Sequence, residues 1–400
     1  MRLRVRLPEC KPAKAVPVYT PAVPLDLARW LPDFPVRDHC LYLNHAAVSP
    51  LPRPVAEAMH ARVADQESYG AVNWDRWQES ELAIRALTAE LLACNPGDVS
   101  LVRSTSEGLS MLAQGFPWRR GEAVLVGAEE FAANVAPFLA LRGRGVAVRR
   151  CPTPGGRILP EDVLAELKPP VKLLALSWVA FHTGWVAPVA ELARAAHERG
   201  ITVVLDAIQG LGVLPESFET LGVDALVADG HKWLLGPEGA GVMVTRPELR
   251  ARLQPVLAGW RNVRRRPGDF FLHDLEFYAD GRRFEPGSPP SVLLAGLEAA
   301  LNLLLEVGIG EVHDRVTGSA RALTEGLLEA GWDVLSPGSG HPIAGIVASR
   351  HPHLPALEVA KRLRERAIEV AARQGLVRFS PHFYTTAGEI EALGVILRKL

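Results

Sequence analysis

Residues 201–244, ITVVLDAIQGLGVLPESFETLGVDALVADGHKWLLGPEGAGVMV, decide how the chain is read. Residues 201–205 are β-branched and apolar on both faces and too few for a helix, which predicts a buried parallel strand. That strand ends on Asp206, so a carboxylate stands at the carboxyl edge of the sheet, where open α/β sheets bind ligands. A second apolar run, 225–228, leads into Asp229, Gly230, His231 and Lys232. A third, 241–245, follows a glycine-rich turn. One segment therefore offers a strand-end acid and a loop lysine.

Pyridoxal phosphate chemistry uses such a pair. The lysine amine holds the aldehyde as a Schiff base, and the carboxylate keeps the pyridine nitrogen protonated so that the ring draws electrons. The amine has to be partly neutral near pH 7, which desolvation or a nearby positive charge arranges. With Gln209 three residues after the acid and His231 beside the lysine, the segment resembles the fold-type I pyridoxal phosphate enzymes. The similar branch is that of class V aminotransferases and cysteine desulfurase-like proteins, isopenicillin N epimerase-like and kynureninase-like relatives included. Its Asp-x-x-Gln and Ser-x-His-Lys patterns are matched by Asp206-Ala207-Ile208-Gln209 and Asp229-Gly230-His231-Lys232. The resemblance covers nearly the whole chain after residue 40. It implies an α/β fold, with a mainly parallel, seven-stranded sheet covered by helices and a smaller α+β C-terminal domain.

Length and composition agree with a large enzyme. Four hundred residues exceed one hydrophobic core, so two domains are expected: residues 41–285 and 286–400, after an N-terminal arm of residues 1–40. The first 25 residues are proline-rich and basic and read as an extended arm without the apolar core of a signal peptide. Hydrophobic residues make up 48% and charged ones 22% of the chain, as in soluble globular proteins. Lysine plus arginine number 44 against 45 acids, which argues against nucleic acid or membrane as partner. The Arg264-Arg265-Arg266 cluster reads as a solvated loop. Apolar runs fall short of a membrane span, and the cytoplasm is the expected compartment. Cys10, Cys40, Cys94 and Cys151 are scattered without a Cys-x-x-Cys pair, so neither a zinc site nor a disulfide framework is expected.

The remaining candidates fall along the chain in order. Residues 41–43 form a short strand before Asn44-His45-Ala46-Ala47, an opening that similar proteins place along the substrate entrance, which makes His45 and Ala47 expected substrate contacts. Residues 55–92 are helical with a polar break at 69–75. Strand 98–102 runs into Ser104-Thr105-Ser106-Glu107-Gly108, where Ser104 and Glu107 read as a capping box. Helix-start amides favour an anion, and the resemblance gives Thr105 and Ser106 to the cofactor phosphate. After strand 123–126, Phe131 takes the place of the ring-stacking residue. Strand 171–177 leads to Ala180 or Phe181 where relatives carry an asparagine for the phenolic oxygen. Gln209 is left to hold that oxygen unless His182 or Thr183 substitutes. Asp229 replaces a phosphate-binding serine; a carboxylate there would repel phosphate, so Asp229 is expected to face elsewhere, toward an arginine, with His231 as phosphate donor. Arg283-Phe284-Glu285-Pro286-Gly287-Ser288 resembles a turn that relatives insert into a neighbouring subunit, implying a homodimer in which Ser288 reaches the partner's phosphate. Arg378, in a strand-like run, presents a planar fork suited to an α-carboxylate, and the resemblance makes it the carboxylate anchor. Thr386 and Glu389 read as a capping box for the closing helix.

The reaction is read at the α-carbon of an amino acid, with Lys232 moving the proton and Asp206 as the ring acid. Aminotransferase is the first expectation, with carbon–sulfur β-lyase and epimerase as alternatives and a non-catalytic dimeric scaffold as the reading from another class. A metallohydrolase using His231, Asp206 and Asp229 lacks a paired-histidine motif. Cysteine desulfurases use a mobile cysteine in the loop before the anchoring arginine; residues 335–377 hold none, and the sequence reading therefore excludes that activity.

Overall fold

The computed structural model describes residues 26–265, 271–272, 274–338 and 340–400. The arm read over residues 1–25, with Cys10, and Arg266 lie outside the described residues.

A short strand, β1 (Leu41–Tyr42), precedes the main sheet. That sheet comprises β2 (Val99–Val102), β3 (Ala123–Gly127), β4 (Ala147–Cys151), β5 (Val171–Ser177), β6 (Thr202–Asp206), β7 (Ala225–Asp229) and β8 (Gly241–Thr245). Their order is β2-β8-β7-β6-β5-β3-β4. Only β8 is reversed, being antiparallel to both β2 and β7. The other six run one way, so their carboxyl ends meet at one edge. Side-chain alternation explains the apolar runs: Val203 and Leu205 of β6 enter one core while Val204 enters the core on the opposite face, as a strand covered on both sides requires.

A second sheet joins β9 (Asp333–Val334), β10 (Val347–Arg350), β12 (Ala371–Arg373) and β13 (Leu376–Phe379) in the antiparallel order β12-β13-β10-β9. Between them, β11 (Ile368–Glu369) pairs in parallel with β1, and Asn44 bridges to Ser380. The segment that opens the candidate substrate entrance is thereby sewn to the C-terminal part rather than to the large sheet.

The boundary drawn at residue 286 divides what the core unites. Helix Ser291–Val307 packs on helices Arg53–Tyr69 and Trp74–Leu92, and its Leu294, Leu297, Leu301 and Leu304 enter the core of the large sheet. Its sequence is apolar nearly all round, which demands cover on more than one side. Residues 26–40, within the arm read from the sequence, form short helical turns that bury Trp30 and Phe34. Phe34 stacks on Tyr384 at 3.7 Å. Among the described residues no single helix is long and apolar enough to cross a membrane.

Candidate active site

Asp206 ends β6, and Lys232 follows β7, the next strand over. Both line a cavity of about 300 Å³ at the carboxyl edge of the large sheet. Thr105, Ser106, Phe131, Gln209 and His231 join them there, with Ala47 from the segment after β1 and Arg378 from β13 of the second sheet. The sequence candidates thus converge except for His45 and Ser288.

Asp206 is 3% exposed, and its Oδ1 accepts from the Ile208 N–H at 3.1 Å. Burial pushes its carboxyl up to about 7, against the opposing pull of that hydrogen bond and of Lys232. Burial also pushes the Lys232 amine down to about 8; Asp206 pulls the other way, and Arg378 adds to the lowering. A neutral amine and a proton-holding acid near neutral pH are what an aldehyde bearing a basic ring nitrogen requires.

The donors fit the rest of such a group. Thr105 Oγ1 accepts from the Asp229 N–H at 3.1 Å, which leaves its own hydroxyl proton to donate. Helix Thr105–Gly115 opens beside it, capped by Ser104, whose Oγ accepts from the Glu107 N–H at 3.1 Å. The expected reciprocal box is only half formed, because Glu107 Oε2 takes the Arg103 N–H at 2.6 Å instead. The helix sits tight on the sheet: a Cβ on Gly108 would lie 2.5 Å from Val227 Cγ1. Gln209 accepts from Trp233 Nε1 at 2.8 Å and donates to Ala46 O at 3.0 Å. Arg378 is 2% exposed; its Nη1 donates to Phe181 O at 2.6 Å, while its Nε is buried without a partner. Burial, aided by Arg373, lowers its guanidinium to about 10, still charged at neutral pH. A buried guanidinium that lines a cavity suits an anion there.

Two expectations change, those for Asp229 and His45. Asp229 faces no arginine: its Oδ2 lies 3.0 Å from His231 Nδ1 and its Oδ1 accepts from the Gly230 N–H at 2.7 Å. His45 is fully buried, with Nδ1 2.8 Å from Ser380 O and Nε2 2.7 Å from the Tyr384 hydroxyl. Both ring nitrogens are spent in that internal network, and burial lowers the imidazole to about 4. Only its neighbours Ala46, Ala47 and Val48 line the cavity. Phe181 occupies the wall where an asparagine was sought and meets Phe131 edge-on at 5.2 Å. Neither His182 nor Thr183 lines the cavity: His182 Nε2 lies 3.2 Å from Glu129, and Thr183 donates to Gly155 O at 2.8 Å. Ser288 is exposed on the chain's own surface, beyond Glu285, which is tied to Arg85 at 2.6 Å and to the Leu101 N–H at 2.8 Å.

Sequence reasoning missed Arg373, which also lines the cavity. The signal was present: Gln374-Gly375 turns the chain between β12 and β13, so Arg373 pairs opposite Leu376. Leu376 and Arg378 share a face by strand alternation, and Arg373 joins them there. Among the described residues no three His, Cys, Asp or Glu side chains cluster as metal ligands.

Comparison with known proteins agrees with this geometry. The family model described as Aminotransferase class-V matches residues 41–393. A probable cysteine desulfurase of Aeropyrum pernix is 32% identical, covering 84% of either chain. An uncharacterized aminotransferase, YcbU, of Bacillus subtilis is 27% identical over 89% of this chain and 93% of its own. The solved cystine C-S lyase C-DES, in complex with its product cysteine persulfide, superposes with a TM-score of 0.85 at 25% identity, over 92% of this chain and 99% of its own.

These relatives overturn the exclusion of cysteine desulfurase drawn from residues 335–377. Proteins of that name match this chain over most of their length. A thiol missing from one loop does not decide the reaction class, because sulfur chemistry at the β-carbon begins with the same α-proton removal as transamination. Matched by the family model over nearly all its described length, the chain belongs to the class V aminotransferase family, whose cofactor is pyridoxal phosphate.

Proposed function

We propose that this protein acts at the α-carbon of a sulfur-containing amino acid and breaks its carbon–sulfur bond. The observation that carries the reading is the meeting of Lys232, Asp206 and Arg378, from two different sheets, in one cavity. The names of the desulfurase relatives and of the C-S lyase support the choice of bond.

Bound there, pyridoxal phosphate supplies a conjugated ring that accepts the electron pair left by the departing α-proton. Thr105, Ser106 and His231 hold its phosphate, and Phe131 gives the ring an apolar wall. Ser288 of a second copy completes the phosphate site in a homodimer. Arg378, in the cavity lining, binds the substrate carboxylate through its guanidinium, which fixes the α-carbon over the lysine. Lys232, neutral in part near pH 8, takes the α-proton. Asp206 keeps a proton at the ring nitrogen, a task suited to a buried acid raised to about 7. The β-carbon–sulfur bond would then break with its electron pair leaving on sulfur as a thiolate or persulfide anion, while the pair left by the α-proton forms a double bond between the α- and β-carbons. Phe131 and Phe181, meeting edge-on, make that face apolar.

Transamination is the second reading, supported by the aminotransferase relative. It differs only in where Lys232 returns the proton. Epimerisation needs a base on the opposite face, and among the described residues the one imidazole lining the cavity, His231, has its Nδ1 set against Asp229.

The test is a visible absorption spectrum of the purified protein, before and after borohydride, with peptide mapping of the reduced adduct and a Lys232→Ala control. Incubation with cystine, cysteine and sulfur-free amino acids follows, assayed for sulfide or persulfide, pyruvate, and pyridoxamine phosphate. Cofactor fixed on Lys232 with sulfur release supports the proposal. Pyridoxamine phosphate without sulfur release favours transamination, and a colourless protein that cannot be reconstituted overturns both.

A further inference from the structure

Gln209 carries an amide whose two ends differ in chemistry, and its orientation decides whether the cavity receives a donor or an acceptor. The side chain is 3% exposed and lines the cavity. Its Oε1 lies 2.8 Å from the indole nitrogen of Trp233, and its Nε2 lies 3.0 Å from the carbonyl oxygen of Ala46. An indole N–H can only donate and a backbone carbonyl can only accept. A flipped amide would set N–H against N–H at one end and oxygen against oxygen at the other. One Nε2 proton goes to Ala46, and the second remains for whatever fills the cavity.

Trp233 is itself immobile. It is fully buried, and its backbone carbonyl lies 3.2 Å from His382 Nε2. A Cβ on Gly345 would lie 2.7 Å from the indole Cη2, and the φ of +78° at that residue suits glycine. The indole therefore has a packed floor and a fixed N–H direction. Among the described residues no other amide side chain lines the cavity, and Phe181 stands on the wall where an asparagine was sought.

We infer that Trp233 is a positioning residue: its indole N–H locks Gln209 with the amide N–H toward the cavity, so that the site offers a donor, never an acceptor, to the phenolic oxygen of the cofactor. This rests on the proposed placement of that oxygen beside Gln209. A donor there stabilises the phenolate and weakens its hold on the proton of the neighbouring imine nitrogen, which lowers the pH at which the visible band of the loaded protein titrates. With the lock removed, the amide turns freely, the donor is lost for part of the time, and the band midpoint rises.

The experiment is a spectrophotometric pH titration of the cofactor-loaded protein as wild type, Trp233→Phe, Gln209→Leu and the double variant, with cofactor content and thermal unfolding measured on each. Trp233→Phe keeps an aromatic ring in the packed site and removes the N–H together with part of the indole, whose packing loss the thermal unfolding reads separately. The expected result is a midpoint raised by about 0.5–1 pH unit in Trp233→Phe, at least as much in Gln209→Leu, and no further rise in the double variant, as for residues acting through one another. A shift in Gln209→Leu with none in Trp233→Phe overturns the lock and leaves the cofactor placement standing. No shift in Gln209→Leu overturns the placement itself, and the lock with it. Lower stability in Trp233→Phe with an unchanged midpoint would mean that the indole merely packs. Should Trp233→Phe not fold, Trp233→His, which retains a ring N–H, decides by whether its midpoint stays at the wild-type value.

Discussion

Asp229 turns its carboxylate to His231, with Oδ2 3.0 Å from Nδ1, while its own backbone N–H is taken by Thr105 Oγ1 at 3.1 Å. One residue thus orients two of the proposed phosphate ligands, the imidazole by its side chain and the hydroxyl by its backbone. The contact sets the carboxylate against Nδ1 without the alignment of a hydrogen bond, and a negative charge beside that nitrogen favours a ring proton there, with Nε2 as the face for a ligand. Asp229→Ala keeps the backbone N–H and removes the carboxylate. The cofactor dissociation constant should rise about tenfold, ~1.4 kcal/mol, and His231→Ala added to it should cost little more. Additive losses in that double variant would show that the two side chains act independently.

Arg378 is the clearest case of charge geometry mattering beyond charge. Its Nη1 is committed to Phe181 O, which leaves the planar fork one edge for a carboxylate. Arg378→Lys retains a cation but offers a single ammonium in place of two parallel donors. KM for the amino acid should rise at least tenfold, with kcat changed only a few-fold, since the loss falls on ground-state and transition-state binding alike. Steady-state kinetics check this. Equal losses in kcat and kcat/KM would place Arg378 on the reacting atoms instead.

The strands and the cofactor acid were legible because burial on both faces of a parallel sheet leaves unbroken apolar runs, and β6 ends where its run ends, on Asp206. For helix Ser291–Val307 the sequence does not tell which core it joins, because a helix apolar nearly all round carries no direction. The errors lie at side-chain orientations in turns. His45 sits in a motif with Ala46 and Ala47, but only the fold reveals that Tyr384 and Ser380, more than 330 residues away, capture its ring. Periodicity cannot show that Asp229 meets its second neighbour His231 rather than an arginine, for that depends on the backbone at Gly230.

Asp206 costs the empty protein stability. Its folded value of about 7 lies above the 3.8 of an exposed aspartate. The folded chain therefore holds a proton that the unfolded chain gives up between those values, and stability falls as pH rises through that window. Asparagine has no charge to bury. Cofactor-free Asp206→Asn should match the wild type near pH 4 and exceed it by about 2–4 kcal/mol near pH 8, by urea unfolding at both, while catalysis is lost. Equal stability at both pH values would mean that the carboxylate ionises in place at no cost.

Gly108 has a similar role in packing. A methyl group there would come within 2.5 Å of Val227 Cγ1 and 3.2 Å of Cγ2. Val227 is fully buried in β7, and Leu109 and Leu112 fix the same helix in the core, so neither partner can step back freely. Alanine would favour the helix by ~1 kcal/mol, but overpacking costs about 1–3 kcal/mol. The helix start is then displaced, and Thr105 and Ser106 with it. Gly108→Ala should therefore lower cofactor affinity several-fold with a modest loss of stability. Adding Val227→Ala removes both clashing methyls and should restore affinity, yet leaves stability below wild type because a buried cavity replaces them. Titration with pyridoxal phosphate, followed by thermal unfolding of the same samples, separates the two effects: affinity returning without stability ties the phosphate site to the seat of this helix on β7, whereas affinity unchanged in Gly108→Ala would detach it.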